Sequence, residues 1–139
     1  VKSDEQEFTD RLLRAGEQGC IEVESGTLRP RRYAVPLNAD GLVPLCEKTF
    51  ADEALILEEQ ISAAVVMDKQ GRDMVRVSSG APVWLFWPQQ NQHCPYVCCE
   101  PWYGLPDLQT FDGDISERAY IQSAPAGGRW NGWYSVEIL

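Results

Sequence analysis

Short stretches of apolar residues, separated by turn-forming residues, recur along the chain and favour strands over helices. Apolar and acidic residues alternate over residues 21–24, which is typical of a strand with one buried face. Two largely apolar runs, at residues 63–67 and 74–77, flank a polar segment at residues 68–71 (DKQG). A polar turn between two such runs predicts a β-hairpin.

The remaining pattern also favours sheet. Further strands are predicted where apolar and β-branched residues run together, at residues 33–37, 54–57, 83–87 and 133–139. Residues 5–15 carry only a weak helical pattern, one short helix at most, and residues 42–50 look irregular. Many short strands with turns between them predict an all-β protein, an antiparallel β-sandwich.

The segment at residues 95–104 (PYVCCEPWYG) joins an apolar strand to one carboxylate and two aromatic rings. Proline cannot donate to a sheet ladder, so the strand is predicted to end at Glu100, just before Pro101. Glu100 would then stand at a strand's rim as a general base, with Trp102 and Tyr103 offering flat apolar faces to a sugar ring. The alternative is a structural strand end closed by packing aromatics. The residues alone leave both interpretations open.

This segment resembles the signature of the aldose 1-epimerase (galactose mutarotase) family, in the bacterial branch that carries Cys-(aliphatic)-Glu-Pro-Trp-Tyr-Gly. Here Cys99 takes the aliphatic position. Further landmarks follow in the family's order: DEALIL at residues 52–57, GR at 71–72 before a strand at 75–77, WLFWP at 84–88 and FDGD at 111–114. The resemblance covers nearly all of the chain from about residue 21 onward.

The resemblance implies a mutarotase-like β-sandwich enzyme that interconverts the α and β anomers of an aldose by opening and reclosing the ring. It gives Glu100 the role of the base, which takes the proton from the anomeric hydroxyl while a histidine protonates the ring oxygen. The family's histidines belong to upstream motifs, and the single histidine here, His93, matches neither. Because β-sandwich domains commonly run to about 200–250 residues, we expect residues 1–139 to be the C-terminal part of one domain, with the acid outside this chain.

The resemblance also suggests residues that bind the sugar. Alignment on residues 54–56 puts Glu53 where the family has an Asp that hydrogen-bonds sugar hydroxyls, so either Glu53 or its neighbour Asp52 takes that role. A solvated strand entry is the alternative for this pair. Trp87 could form an aromatic wall. Trp84, three positions earlier, must face the other side of a strand, so one of the two tryptophans is expected in the core.

Composition limits the classes of partner. A net charge of −9 over 139 residues argues against nucleic acid, which needs a basic surface. No apolar stretch approaches the length that spans a membrane, and the acidic opening residues do not resemble a signal peptide, so the cytoplasm is the expected location. The expected partners are a small aldose and either the N-terminal remainder of the domain or a second chain. No cofactor is expected.

The cysteines, aspartates and arginines suggest little further chemistry. Five cysteines, an odd number, fit buried thiols better than a disulfide framework, and no second Cys or His pair supports a zinc site. Three aspartates between residues 107 and 114 are interpreted as surface loop residues, with calcium binding as the alternative. Arg29, Arg31 and Arg32 either flank a turn around Pro30 or bind an anion.

Two functions from different classes follow. The first is an aldose 1-epimerase-type isomerase, with Glu100 as base. The second is a sugar-binding or regulatory relative that keeps the aromatic cleft without turnover. A weaker third possibility, an epimerase of hexose 6-phosphates, requires the arginine cluster to line the cleft.

Overall fold

The computed structural model describes residues 6–9, 20–24, 26–46, 48–51, 54–88 and 96–139. Within these residues the chain forms ten strands and one 3-10 turn. The strands are β1 (Gln6–Thr9), β2 (Cys20–Glu24), β3 (Thr27–Tyr33), β4 (Val43–Leu45), β5 (Leu55–Glu58), β6 (Ala63–Met67), β7 (Asp73–Ser79), β8 (Val83–Trp87), β9 (Cys98–Trp102) and β10 (Tyr134–Ile138); the 3-10 turn is Ile115–Glu117. The all-β prediction is confirmed.

The strands form three antiparallel groups. A five-stranded sheet has the order β10-β7-β6-β1-β4, and a three-stranded sheet has the order β5-β8-β9. The third group is the β2–β3 hairpin, which lies against β5. No helix among the described residues has the length and apolar character that a membrane crossing requires.

The two larger sheets pack face to face. We call the apolar layer between them the inner core. Its members from the three-stranded sheet are Leu55, Leu57, Trp84 and Phe86, and those from the five-stranded sheet are Val43, Ala64 and Val77. Trp84 and Phe86 stack with their ring centroids 6.1 Å apart. This packing makes the architecture a sandwich, as predicted.

The three-stranded sheet is also covered on its other side. Ile56, Val83 and Leu85 point away from the inner core and pack against Ile21 and Leu28 of the β2–β3 hairpin. We call this second apolar layer the outer cluster. A sheet buried on both faces favours apolar side chains at successive positions, which explains the uninterrupted apolar run of β8 and the three apolar residues that begin β5.

The predicted hairpin is present as β6 and β7. Its turn is closed by Asp68, whose carboxylate accepts hydrogen bonds from the backbone N–H groups of Gln70 at 2.9 Å and Arg72 at 3.0 Å. Gly71 takes a left-handed backbone conformation with φ of 74°. The polar segment DKQG therefore supplies both the side-chain acceptor and the flexible backbone that this turn needs.

The predicted end of the Glu100 strand is wrong. β9 continues to Trp102, and Pro101 pairs with Trp84 of β8. The strand tolerates the proline because β9 is the edge of the three-stranded sheet, where a missing N–H can face away from the ladder.

Three smaller predictions also differ from the structure. Residues 6–9, inside the weak helical pattern, form β1, which pairs with β4 and β6; the rest of that pattern, residues 10–19, lies outside the described residues. Of the extended piece expected at residues 33–37, only Tyr33 lies in a strand, where it is the last residue of β3. The segment expected to be irregular contains the short strand β4.

Replacing Gly71 tests the turn. Gly71→Ala should lower the free energy of unfolding by about 1 kcal/mol, because alanine is strained at positive φ although a Cβ would meet no atom within 4 Å there. Gly104→Ala is the matched control, since a Cβ there also meets open space and no positive φ is involved. Denaturant unfolding of both variants measures the difference. Equal stability of the two variants would contradict the assigned turn conformation.

Candidate functional site

The outer face of the three-stranded sheet carries the predicted base. Residues paired across antiparallel strands share a face, and in this sheet Glu100 pairs with Leu85 of the outer cluster. Trp102 pairs with Val83, and Val83 pairs in turn with Glu58 of β5. The outer face therefore presents two carboxylates and an indole ring beside an apolar surface.

Glu100 and Trp102 are in direct contact. Two positions apart on a strand, they project from the same face, and the indole Nε1–H of Trp102 donates to Oε2 of Glu100 at 3.0 Å. Both residues are half-buried. This hydrogen bond fixes the orientation of the carboxylate and occupies one of its two oxygens.

The two tryptophans of β8 lie on opposite faces of the strand, as the sequence predicted. Trp84 is 1% exposed in the inner core, whereas Trp87 is half-buried and packs against the outer cluster. Trp87 pairs with Cys98, one diagonal step from Glu100. The structure thus brings Trp87, Glu100 and Trp102 to one face of the sheet.

Tyr103 is held by the C-terminal segment. Its ring packs edge-on against Trp130, with centroids 4.7 Å apart, and its hydroxyl oxygen lies 3.4 Å from the backbone nitrogen of Trp133. Its described contacts therefore anchor residues 130–133 to the end of β9. Asp52, Glu53 and His93 lie outside the described residues.

A polar network on the outer face was missed by the sequence reasoning. Glu58, buried at the end of β5, accepts a hydrogen bond from Nη2 of Arg32 on β3. Tyr120 packs against the outer cluster, and its hydroxyl donates a hydrogen bond to the carboxylate of Glu58. Burial is the main cause that raises the pKa of this hydroxyl, and the negative charges of Glu58 and Glu59 add to it. Tyr120 has φ of 58°, a strained value for a bulky residue. These partners are far apart in sequence, so no local pattern could have identified them.

The arginine cluster of β3 lines a groove next to this network. The groove encloses about 210 Å³, and Arg29, Arg31, Arg32 and Arg118 lie along it together with Glu58. Glu58 lines the groove and lies on the same face of the sheet as Glu100, so the groove opens on that face. Glu100 itself does not line the groove. The predicted turn around Pro30 is wrong, because residues 29–32 lie within β3.

The aspartates near the C-terminus have local structural contacts. Asp107 Oδ1 lies 2.7 Å from Nε of Arg118. Asp114 caps the 3-10 turn by accepting from the backbone N–H of Ser116 at 2.9 Å, and the hydrogen bonds from Ser116 lower the pKa of Asp114. Among the described residues, no three His, Cys, Asp or Glu side chains are grouped as a metal site would require.

Cys20 is buried, and Cys99 is half-buried. Burial raises the pKa of Cys20 to about 12, partly offset by a hydrogen bond with Tyr33. Burial, together with the neighbouring Cys98 and Glu100, raises the pKa of Cys99 to about 11. Cys20 belongs to the inner core, as the buried-thiol interpretation predicted, and the half-buried Cys99 packs against it.

Comparison with known proteins supports the fold and nothing finer. No protein-family model matches the chain, and no curated protein matches it. A crystal structure of a galactose mutarotase related enzyme from Lactobacillus acidophilus is similar, with a TM-score of 0.69 and 22% sequence identity over 98% of this chain. The chain spans 44% of the length of that structure. The fold is therefore galactose mutarotase-like.

The buried thiol of Cys20 should resist alkylation. The thiolate is the reactive form, so at about pH 8.5 Cys20 should be protected from iodoacetamide in the folded protein and react after unfolding. Cys46, half-buried on the loop after β4, is the internal control and should be labelled sooner than Cys20. Peptide mass spectrometry gives the labelling rates. Labelling of Cys20 as fast as Cys46 would contradict the described packing.

The thiols of Cys20 and Cys99 predict a loss of stability at high pH. Their raised folded pKa values favour the neutral thiol, so their stabilising effect is complete below about pH 8.5, the unfolded pKa, and is lost as pH rises toward 11 to 12. The free energy of unfolding, measured across this range, should therefore fall. In a Cys20→Ala variant the fall should be shallower, and an identical slope would argue against the effect.

Proposed function

We propose that this chain belongs to an aldose 1-epimerase-type isomerase in which Glu100 is the base. The observation that carries the proposal is the carboxylate of Glu100, held by the indole of Trp102 on a half-buried sheet face that also presents Trp87. Two aromatic side chains flanking one oriented carboxylate suit a sugar ring, whose C–H faces pack on aromatic surfaces while a hydroxyl meets the base. The mutarotase-like fold is consistent with this function.

In the proposed reaction, Glu100 takes the proton from the anomeric hydroxyl of the bound aldose. An acid delivers a proton to the ring oxygen, the bond between that oxygen and the anomeric carbon breaks, and an open aldehyde forms. Rotation about the adjacent carbon–carbon bond and reversal of the steps give the other anomer. Because Trp102 occupies Oε2, Oε1 of Glu100 is the oxygen proposed to accept the proton. Asp52 or Glu53 is proposed to bind sugar hydroxyls.

We further propose that the acid, a histidine, comes from the N-terminal remainder of the same domain or from a second chain. The support is an open apolar surface at β10, where Tyr134, Val136 and Ile138 are 70%, 57% and 78% exposed. These residues pair with β7 on the side that carries Val75 and Val77, so they continue the face that forms the inner core. Further strands would cover this surface.

Removing the base is the direct test. In the natural polypeptide that contains this chain, Glu100→Gln should lower the polarimetric mutarotation rate of α-D-glucose and α-D-galactose by at least about 100-fold, the usual contribution of a general base. Sugar binding, followed by calorimetry, should change little because the amide keeps the shape. Glu117→Gln, an exposed acid on the 3-10 turn, is the matched control. A variant that keeps most of its kcat would disprove the role of Glu100.

The wild-type protein itself separates the two function classes. Acceleration of mutarotation supports the isomerase. Sugar binding without any acceleration would instead support the non-catalytic relative, which keeps the aromatic face but lacks the acid.

Trp102→Phe tests the positioning of the base. The variant keeps an aromatic face and loses the N–H that holds Glu100, so we expect kcat to fall by about 10-fold, the value of one hydrogen bond to a charged group, with a smaller change in KM. Trp133→Phe is the control, because that indole is 58% exposed and lies in the C-terminal segment. A rise in KM with kcat unchanged would show that Trp102 only binds sugar.

A further inference from the structure

A second groove borders the candidate site at Trp102, and we call it the Trp102 groove. Residues 102–106, at and beyond the end of β9, line it together with Arg118, Ala119 and Ile121. The groove encloses about 360 Å³. This volume is within the range of small-ligand sites, about 300–1,000 Å³.

The side chain of Trp102 joins this groove to Glu100. The indole Nε1–H donates to Oε2 of Glu100 at 3.0 Å, and Trp102 also lines the groove. Glu100 itself does not line the groove. The carboxylate and the groove are therefore one side chain apart, and a ligand that reaches both must extend past the indole.

Arg118 connects the two segments that line the groove. Its Nη2 donates to the carbonyl of Leu105 at 3.0 Å, and Leu105 in turn packs against the outer cluster, as Trp102 does. The segment that carries Arg118 is therefore held against the segment that follows β9. A groove that is formed before the ligand arrives reduces the entropy lost on binding.

Tyr120 holds the segment of residues 118–121 against the sheet. Its neighbours Ala119 and Ile121 line the groove, whereas Tyr120 packs against the outer cluster and donates to Glu58. The backbone reaches this arrangement with a φ of 58° at Tyr120. Such a strained conformation persists only where the surrounding contacts hold it, and it is common at ligand sites.

The lining of the groove suits a sugar ring. Trp102 and Tyr103 supply aromatic rings, and Leu105 and Ile121 supply apolar surface for the C–H faces of the ring. Arg118 supplies N–H donors, which sugar hydroxyls can accept. Nε of Arg118 lies 2.7 Å from the carboxylate of Asp107, so its charge has a partner within the protein and a neutral ligand fits the groove.

We infer that the Trp102 groove binds the second ring of a reducing oligosaccharide whose terminal ring lies at Glu100. The inference rests on the proposed sugar site at Glu100 and names its substrate class, a disaccharide or a longer chain. A single ring at Glu100 would leave the adjacent groove empty, whereas a second ring fills it and packs on Trp102.

Calorimetric titration of the natural polypeptide tests the groove. Maltose, isomaltose, cellobiose and lactose all end in a reducing glucose and differ in linkage or in the second ring, and glucose alone is the reference ligand. At least one disaccharide should bind about 10-fold more tightly than glucose, because its second ring gains an aromatic contact and apolar burial.

Replacing Ile121 removes part of the groove without touching Glu100 or Trp102. Ile121 is 39% exposed, and Ile121→Ala should weaken binding of the preferred disaccharide by about 5-fold through lost apolar contact. Binding of glucose should not change. Ile115→Ala is the matched control, because this isoleucine is 64% exposed on the 3-10 turn and does not line the groove.

The outcomes separate this inference from the proposed isomerase activity. Equal affinity for glucose and for every disaccharide, or equal effects of Ile121→Ala and Ile115→Ala, would overturn the inference even if the protein accelerates mutarotation of glucose. A disaccharide preference that Ile121→Ala reduces would support the groove even if polarimetry detects no acceleration, a result that would count against the isomerase alone. Absence of binding of any of these sugars would overturn both.

Discussion

The burial of one strand on both of its faces is the constraint on which the rest of this structure depends. β8 lies at the centre of the three-stranded sheet, and its side chains alternate between the inner core and the outer cluster. A central strand of this kind has no position for a charge, so polar chemistry is confined to its neighbours. Glu58 on β5 and Glu100 on β9 occupy those flanking positions on the outer face. The strand that contributes to the inner core thus also supports both acidic side chains through the residues on its other face.

Much of the fold could be predicted because its signals are local. The β6–β7 hairpin follows from two apolar runs and a four-residue polar turn, and β8 follows from an uninterrupted apolar run. The extent of β9 could not be predicted in the same way. Whether a strand accepts Pro101 depends on its place at a sheet edge, and that place is set by pairing with distant residues. The register shift between β2 and β3, where Ile21 pairs with Arg32 and Val23 pairs with Leu28, likewise depends on both strands.

In the candidate site, too, the features set by local spacing could be predicted, and those set by distant residues could not. The shared face of Glu100 and Trp102 follows from a spacing of two, and the separation of Trp84 from Trp87 follows from a spacing of three. The packing of Tyr103 on Trp130 could not be predicted, because it depends on the position of a segment that is distant in sequence. Sugar binding by Tyr103 stays a prediction. The proposed role of Glu100 rests on the resemblance to a family, since the residues alone left a structural strand end open.

Prolines in two edge strands make some edges of the two larger sheets less able than others to pair with a further strand. Pro44 lies in β4, at one edge of the five-stranded sheet, and Pro101 lies in β9, at one edge of the three-stranded sheet. A proline leaves a gap in the row of donors that an incoming strand would use, so these two edges resist extension. β10 contains no proline and pairs with β7 along its full length. Growth of the five-stranded sheet is therefore directed to β10, which gives the molecule a preferred direction for adding strands.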